Sequence, residues 1–182
     1  MSLRLAVVFD HGCVYFPPGH LSRIGGTVDG AVTTDVIADA DLTATPPEIR
    51  TVSGVTLFVS AEQREELEWF CRASRIPTRT RPDVWGDLLE PFLDTQFTPE
   101  HEAATLSRLR RAGMTETEVG QIRARVGPLM LAYNAIHWDW SHLGLADLLD
   151  AMTTEALPGG AELGETSSFY RWAMGIANSQ LL

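Results

Sequence analysis

Two histidines, an aspartate and two tryptophans fall within the six residues from His137 to His142, inside the stretch "YNAIHWDWSHLGL". Imidazole and carboxylate are the groups from which general bases and metal sites are built, and indole is a broad apolar surface with one N–H donor. A metal would need these donors to converge. In a helix each residue advances about 100°, so His137 and His142 point about 140° apart, and Asp139 neighbours His142 while lying nearly opposite His137. In a strand His137 and Asp139 share a face and His142 takes the other. Neither geometry gathers all three. The expectation is therefore a helix that packs Trp138 and Trp140 into a core, with His142 bonded to Asp139 as a satisfied polar pair.

A metal reading stands as the alternative, and it must draw ligands from elsewhere, since zinc wants about four donors. His101 and Glu102 are the available ones. They open like H-E-x-x-H, but Thr105 occupies the place of the second histidine. On this alternative His101, Glu102, His137, Asp139 and His142 hold a divalent metal that acidifies a bound water, as in a metal-dependent hydrolase.

The segment "CRASRIPTRTRP" supplies a different chemistry. Arg72, Arg75, Arg79 and Arg81 occur with no acid among them, and Arg79 and Arg81, bracketed by Pro77 and Pro82, read as extended with both side chains on one side. Guanidinium groups so placed can clamp a carboxylate or phosphate, or a partner's acidic group. The structural expectation is that they pair instead with Asp83, Asp87, Glu90 and Asp94, which recur at helical spacing just downstream.

Nucleophiles are scarce. His11 and Cys13 would share a face of a regular strand, but the turn residues "DHG" spoil that register, and Cys13 reads as a buried thiol. The apolar run ending at Asp10 in "AVVFDHG" resembles the nucleophile strand of haloacid-dehalogenase-type phosphatases. Gly12 stands where that family's second aspartate would be, and the first half of the chain lacks alternating βα units, so the resemblance is set aside. There is no G-x-S-x-G elbow and no G-x-G-x-x-G; "GGTVDG" has the wrong spacing, and "DADL" at Asp39 lacks the rest of a calcium loop.

Composition excludes further classes. All 14 basic residues are arginine and none is lysine. A phosphate-loop NTPase needs the lysine of its GK[ST] motif, and imine chemistry needs an amine that can lose its proton, which guanidinium does not. The net charge of −10 opposes non-specific nucleic-acid binding and favours basic partners. Two cysteines 58 positions apart, without C-x-x-C, read as reduced thiols, and no apolar run reaches membrane-spanning length. The opening "MSLRLAVVFDHG" lacks a signal-peptide layout, so a cytoplasmic location is expected.

The elements that must position these residues follow from periodicity. Short apolar runs separated by turn residues make residues 1–59 a β-rich half of three to five mostly antiparallel strands, with a hairpin at "DHG", a breaker at "PPG", and "TPPE" and "SG" as punctuation. The period then changes. "SAEQ" predicts a capping box with Ser60 as N-cap, followed by a helix in which Leu67, Phe70, Cys71 and Ser74 line one stripe. A second helix starts near Asp83 and is kinked or split at Pro91. Thr98 and Pro99 open a third, closed by Gly113, and Thr115 caps a fourth, which Gly127-Pro128 is expected to break. Helix then resumes to about Met152, and after the loop "LPGGAELGET" a short last helix covers "SSFYRWAMGIANSQ".

The expected fold is α+β: one domain over 1–182 with a small N-terminal antiparallel sheet packed against five or six helices, divided as 1–59, 60–155 and 156–182. The expected function is a non-catalytic protein-interaction module, adaptor or inhibitor-like, that binds a protein partner or itself, with no cofactor, nucleic acid or membrane. Trp138, Trp140 and the arginine segment are its candidate contact residues, because Trp and Arg anchor interfaces.

Overall fold

Alternating short strands and turns in the first half do fold as antiparallel meanders, and the second half is helical, so the class is α+β. The computed structural model describes residues 7–17, 30–154 and 157–179. The expected breaker at 17–19 and "GGTVDG" fall mostly outside them. The chain forms two compact units, 1–81 and 82–182.

In the first unit, β1 (Val8–Asp10), β2 (Cys13–Tyr15) and β3 (Ala31–Thr33) form one meander. The expected hairpin at "DHG" is present: Gly12 takes φ +79°, and the Asp10 carboxylate accepts the His11 N–H at 2.7 Å. A second meander joins β4 (Ile37–Asp41), β5 (Glu48–Thr51) and β6 (Thr56–Phe58). Its β5–β6 turn at "SG" is held by Thr51 Oγ1, which accepts the Val55 N–H at 3.0 Å. The strands thus make two three-stranded sheets. The segment after Pro77 runs parallel to β4, through Ala40 N–H to the Pro77 carbonyl and Arg79 N–H to the Ala40 carbonyl.

Helix α1 (Arg64–Ser74) buries Leu67, Phe70 and Cys71, as its period predicts, and Phe70 meets Phe9 of β1 at 5.3 Å between ring centroids. Its entry differs from the expected capping box. Ser60 makes no side-chain cap; a single 3-10 turn, Ala61–Gln63, precedes the helix. The Gln63 amide instead accepts the Val7 N–H at 2.9 Å and donates to the Val7 carbonyl at 2.7 Å. A free strand edge offers Gln63 two main-chain partners, which outcompete the local cap.

The second unit begins with α2 (Val84–Leu89), capped by Asp83, whose carboxylate accepts the Gly86 N–H; Pro91 ends it in the 3-10 turn Glu90–Phe92. Helix α3 (Pro99–Arg111) has Thr98 as cap, and α4 (Glu116–His137) opens on a full capping box between Thr115 and Glu118. Helices α5 (Leu145–Thr153) and α6 (Thr166–Asn178) complete the unit. Its centre is Trp85, which is buried, donates Nε1–H to the Ala173 carbonyl at 3.0 Å, and meets Trp172 edge-on at 5.6 Å.

The break expected at Gly127-Pro128 does not occur: α4 runs through Pro128 for 22 residues. An interior proline costs about 3 kcal/mol through its missing N–H and ring clash. Here the surrounding turn buries the side chains of Val126, Leu129 and Met130, and burial at roughly 1.5–3 kcal/mol each offsets the loss. Gly159, at φ +90°, lies against this turn; a Cβ there would come within 2.8 Å of the Leu129 nitrogen.

Candidate functional site

Helix α4 ends at His137, and the next seven residues carry the chemistry. Trp138 closes the helix in the left-handed region, φ 54° and ψ 40°, with its N–H on the Asn134 carbonyl at 2.8 Å. A bulky L-residue there is strained by about 1–2 kcal/mol. The strain is held by Asn134, a buried amide that faces three main-chain groups at once. Its oxygen accepts the Asp139 N–H at 2.7 Å, and its nitrogen donates to the carbonyls of Phe92 and Asp139, both at 2.9 Å. The Asp139 carboxylate then accepts N–H bonds from Ser141 and His142 and the Ser141 hydroxyl. Burial alone would raise the Asp139 pKa; these donors outweigh it and hold the carboxylate below its ordinary range. Thr95 Oγ1 donates to the Trp140 carbonyl at 2.7 Å and Asp94 N–H to that of Asp139 at 3.3 Å, so the loop is also fastened to the segment after α2.

This bracing does not bury the indoles. Trp138 is 70% exposed and Trp140 is 72% exposed, which corrects the expected core packing. Helical periodicity would bury them only in a helix that continued; α4 stops at His137, so Trp138 and Trp140 leave its register. Leu131 and Ile136, on the last turns of α4, are exposed too.

The same loop turns His142 and Ser141 into the wall of a cleft of about 530 Å³. The rest of the wall comes from α2 and the residues flanking it (Asp83, Asp87, Glu90, Leu93, Phe97) and from α3 (His101, Arg108, Arg111, Ala112). Each acid in it is engaged. His142 Nε2 lies 2.8 Å from Asp83, His101 Nε2 lies 2.6 Å from Glu90, Thr105 donates to the other Glu90 oxygen, and Arg108 grips Asp87 through Nε and Nη2. The hydrogen bond to Asp83 raises the His142 pKa above the ordinary 6.5, against a smaller opposing effect of burial.

The candidate metal ligands are therefore dispersed. His137 is exposed and stacks on Tyr133 at 4.1 Å, the His142 imidazole pairs with Asp83 while only its main-chain N–H reaches the Asp139 carboxylate, and Glu102 is exposed. Among the described residues no group of three or more His, Cys, Asp or Glu is placed to hold a metal ion. The thiols also divide: Cys71 is buried, with its pKa pushed up to about 11 by burial, whereas Cys13 is half-buried. His11 is an exposed turn residue.

The arginine segment does not form one patch. Arg72 pairs with Glu68 at 2.7 Å on the α1 surface, and Arg75 is the exposed left-handed C-cap of α1, at φ 57°. Arg79 is exposed, while Arg81 is buried. The expected pairing with the acids of α2 is replaced: Asp87 takes Arg108, and Arg81 takes Glu48.

That last pair belongs to a cluster the sequence reading missed. Asp39 faces Arg50 and Asp41 faces Glu48 across the β4–β5 pairing, so all four project from the same side of the sheet, and all are buried. Arg50 Nε lies 2.5 Å from Asp39, Arg50 Nη2 donates to the Arg79 carbonyl, and Arg81 Nη2 straddles both Glu48 oxygens at 2.7 and 2.8 Å. Burial raises the Glu48 pKa in spite of both arginines. Burial acts the same way on Asp41, but N–H bonds from Arg81, Thr43 and Ala44 and the Thr43 hydroxyl win and lower it. The signal was present as charge at alternate positions, D-A-D in "ADADL" and E-I-R in "PEIRT", but Glu48 reads from sequence as part of the breaker "TPPE", whereas it opens β5.

Compared with family models, with curated proteins and with solved structures, the chain has no match. No helix among the described residues is long and apolar enough to cross a membrane.

Proposed function

We propose that this chain is a protein-interaction module whose contact element is the loop Trp138–Trp140 at the end of α4. One observation carries the reading: two indoles stand more than two-thirds exposed on a segment whose backbone is fixed by a buried asparagine. Exposed tryptophans on a mobile loop would lose ordering entropy on binding; a braced loop has lost it already, which is how preorganised anchors gain affinity. Left-handed backbone strain kept at a residue whose side chain stands mostly in water also points to use outside the fold.

Charge selects the partner's chemistry. The chain carries −10, and Asp94 is exposed beside the loop. A second copy would meet its own charge, so the occupant is a different protein, with basic groups around an apolar recess that takes an indole. The test is chemical cross-linking in an extract of the native host, followed by mass spectrometry, with the chain and its W138A/W140A variant in parallel. A basic protein cross-linked near 131–140 in the chain, released by salt and absent with the variant, is expected. Cross-links that are indifferent to the two substitutions, or sedimentation as a dimer that the substitutions dissociate, would overturn it.

The alternative of a metal-dependent enzyme rests on His101, Glu102, His137, Asp139 and His142, and no geometric observation favours it.

A further inference from the structure

The cleft between α2, α3 and the loop after α4 is separate from the exposed indoles, and its wall has an unequal inventory of unused groups. Its acceptors are spent. Asp83 takes Gly86 N–H and His142, Asp87 takes Arg108 through both oxygens, and Glu90 takes His101 and Thr105. Its donors are not. Arg111, at the C-terminal end of α3, is exposed and has no carboxylate partner among the described residues; its one hydrogen bond is a long Nε contact of 3.4 Å to the Ser107 carbonyl. Neighbouring Arg110 is by contrast paired with Glu116, and Arg108 with Asp87. A planar fork with both Nη groups unspent matches a carboxylate bidentately.

Apart from Ser141, whose hydroxyl is on Asp139, the remaining wall is mostly apolar, with Leu93, Phe97, Leu143 and Ala112. A volume of about 530 Å³ suits a small organic molecule, and pockets of a few hundred Å³ with an apolar lining and a few fixed polar groups are the usual form of such sites. The three acids oppose a dianion, so a single negative charge is the best match.

We infer that this cleft binds a small monocarboxylate with an apolar, aromatic-sized body, its carboxylate on Arg111 and its body against Phe97, Leu93 and Leu143. Binding here is separable from a protein contact through Trp138 and Trp140: Arg111, Phe97 and Leu93 lie on α3 and the segment before it, and only Leu143 comes from the loop after α4.

Isothermal titration calorimetry on the full chain tests it, with 3-phenylpropionate as probe and 3-phenylpropanamide, acetate and inorganic phosphate as comparisons. Phenylpropionate is expected to bind one per chain, about tenfold or more tighter than the amide, which lacks the charge-assisted contact, and tighter than acetate, which lacks the apolar body, or phosphate, which lacks that body and brings more charge to the three acids. R111Q should remove that tenfold preference, while R110Q, one residue away and outside the cleft wall, should retain it. Both arginines are exposed, so both variants should keep the parent melting temperature, which circular dichroism checks. Equal binding of the acid and the amide, an R111Q variant that keeps the preference, phosphate binding as tight as phenylpropionate, or no heat from any probe would each overturn the inference.

Discussion

Trp138, Trp140 and His142 are separated by single residues, yet their environments set opposite expectations. Trp140 contributes little burial, so W140A should change the unfolding free energy by about 0.5 kcal/mol or less, measured in urea. W138G goes further. Glycine occupies the left-handed region without strain, so this variant should gain up to about 1 kcal/mol while losing an indole; a loss of stability would show that the indole packs after all. His142 sets a pH dependence. Its pKa is raised in the fold by Asp83, so the pair stabilises fully below the unfolded histidine value and is lost as pH rises through the folded one. Unfolding free energy followed upward from pH 6 should fall, and D83N should flatten the slope. An equal slope in D83N would separate the effect from this pair.

Strands β4 and β5 teach how far residue patterns can be read. Caps at Thr98 and Thr115, the hairpin turns and the buried stripe of α1 were legible because each depends on residues a few positions apart. What was not legible depends on distant chain. Pro128 sits inside α4 because tertiary burial pays for it, and Ser60 fails as a cap because Val7, 53 positions upstream, captures Gln63. The two histidine–carboxylate pairs of the cleft join residues 59 and 11 positions apart, so no spacing rule reaches the first. The charged face of β4–β5 lies between these cases, since alternation marks it but only the strand register pairs it. Its energetics yield a sharp expectation. E48A would leave Arg81 buried without its carboxylate, and breaking a buried pair typically costs about 3–5 kcal/mol. E48Q, which retains an acceptor, should lose less. Equal losses in the two variants would mean that cavity formation, not the orphaned guanidinium, dominates.

Charge over the full chain sets its outer limits. With −10 and no lysine, the chain offers few cations to displace counterions from a phosphate backbone, and the described arginines are spread over α1, a buried cluster, the cleft, α4 and α6. A fluorescent duplex titrated with the chain at physiological salt should show no change in anisotropy; saturable binding would demand a basic surface that the described residues do not provide. The loop after α4 has one more consequence. Because Trp140 stands in water two positions before a residue of the cleft wall, on a backbone pinned at both ends, its emission is a native reporter: an occupant that shifts His142 should change its colour or its quenching by iodide without any label being attached.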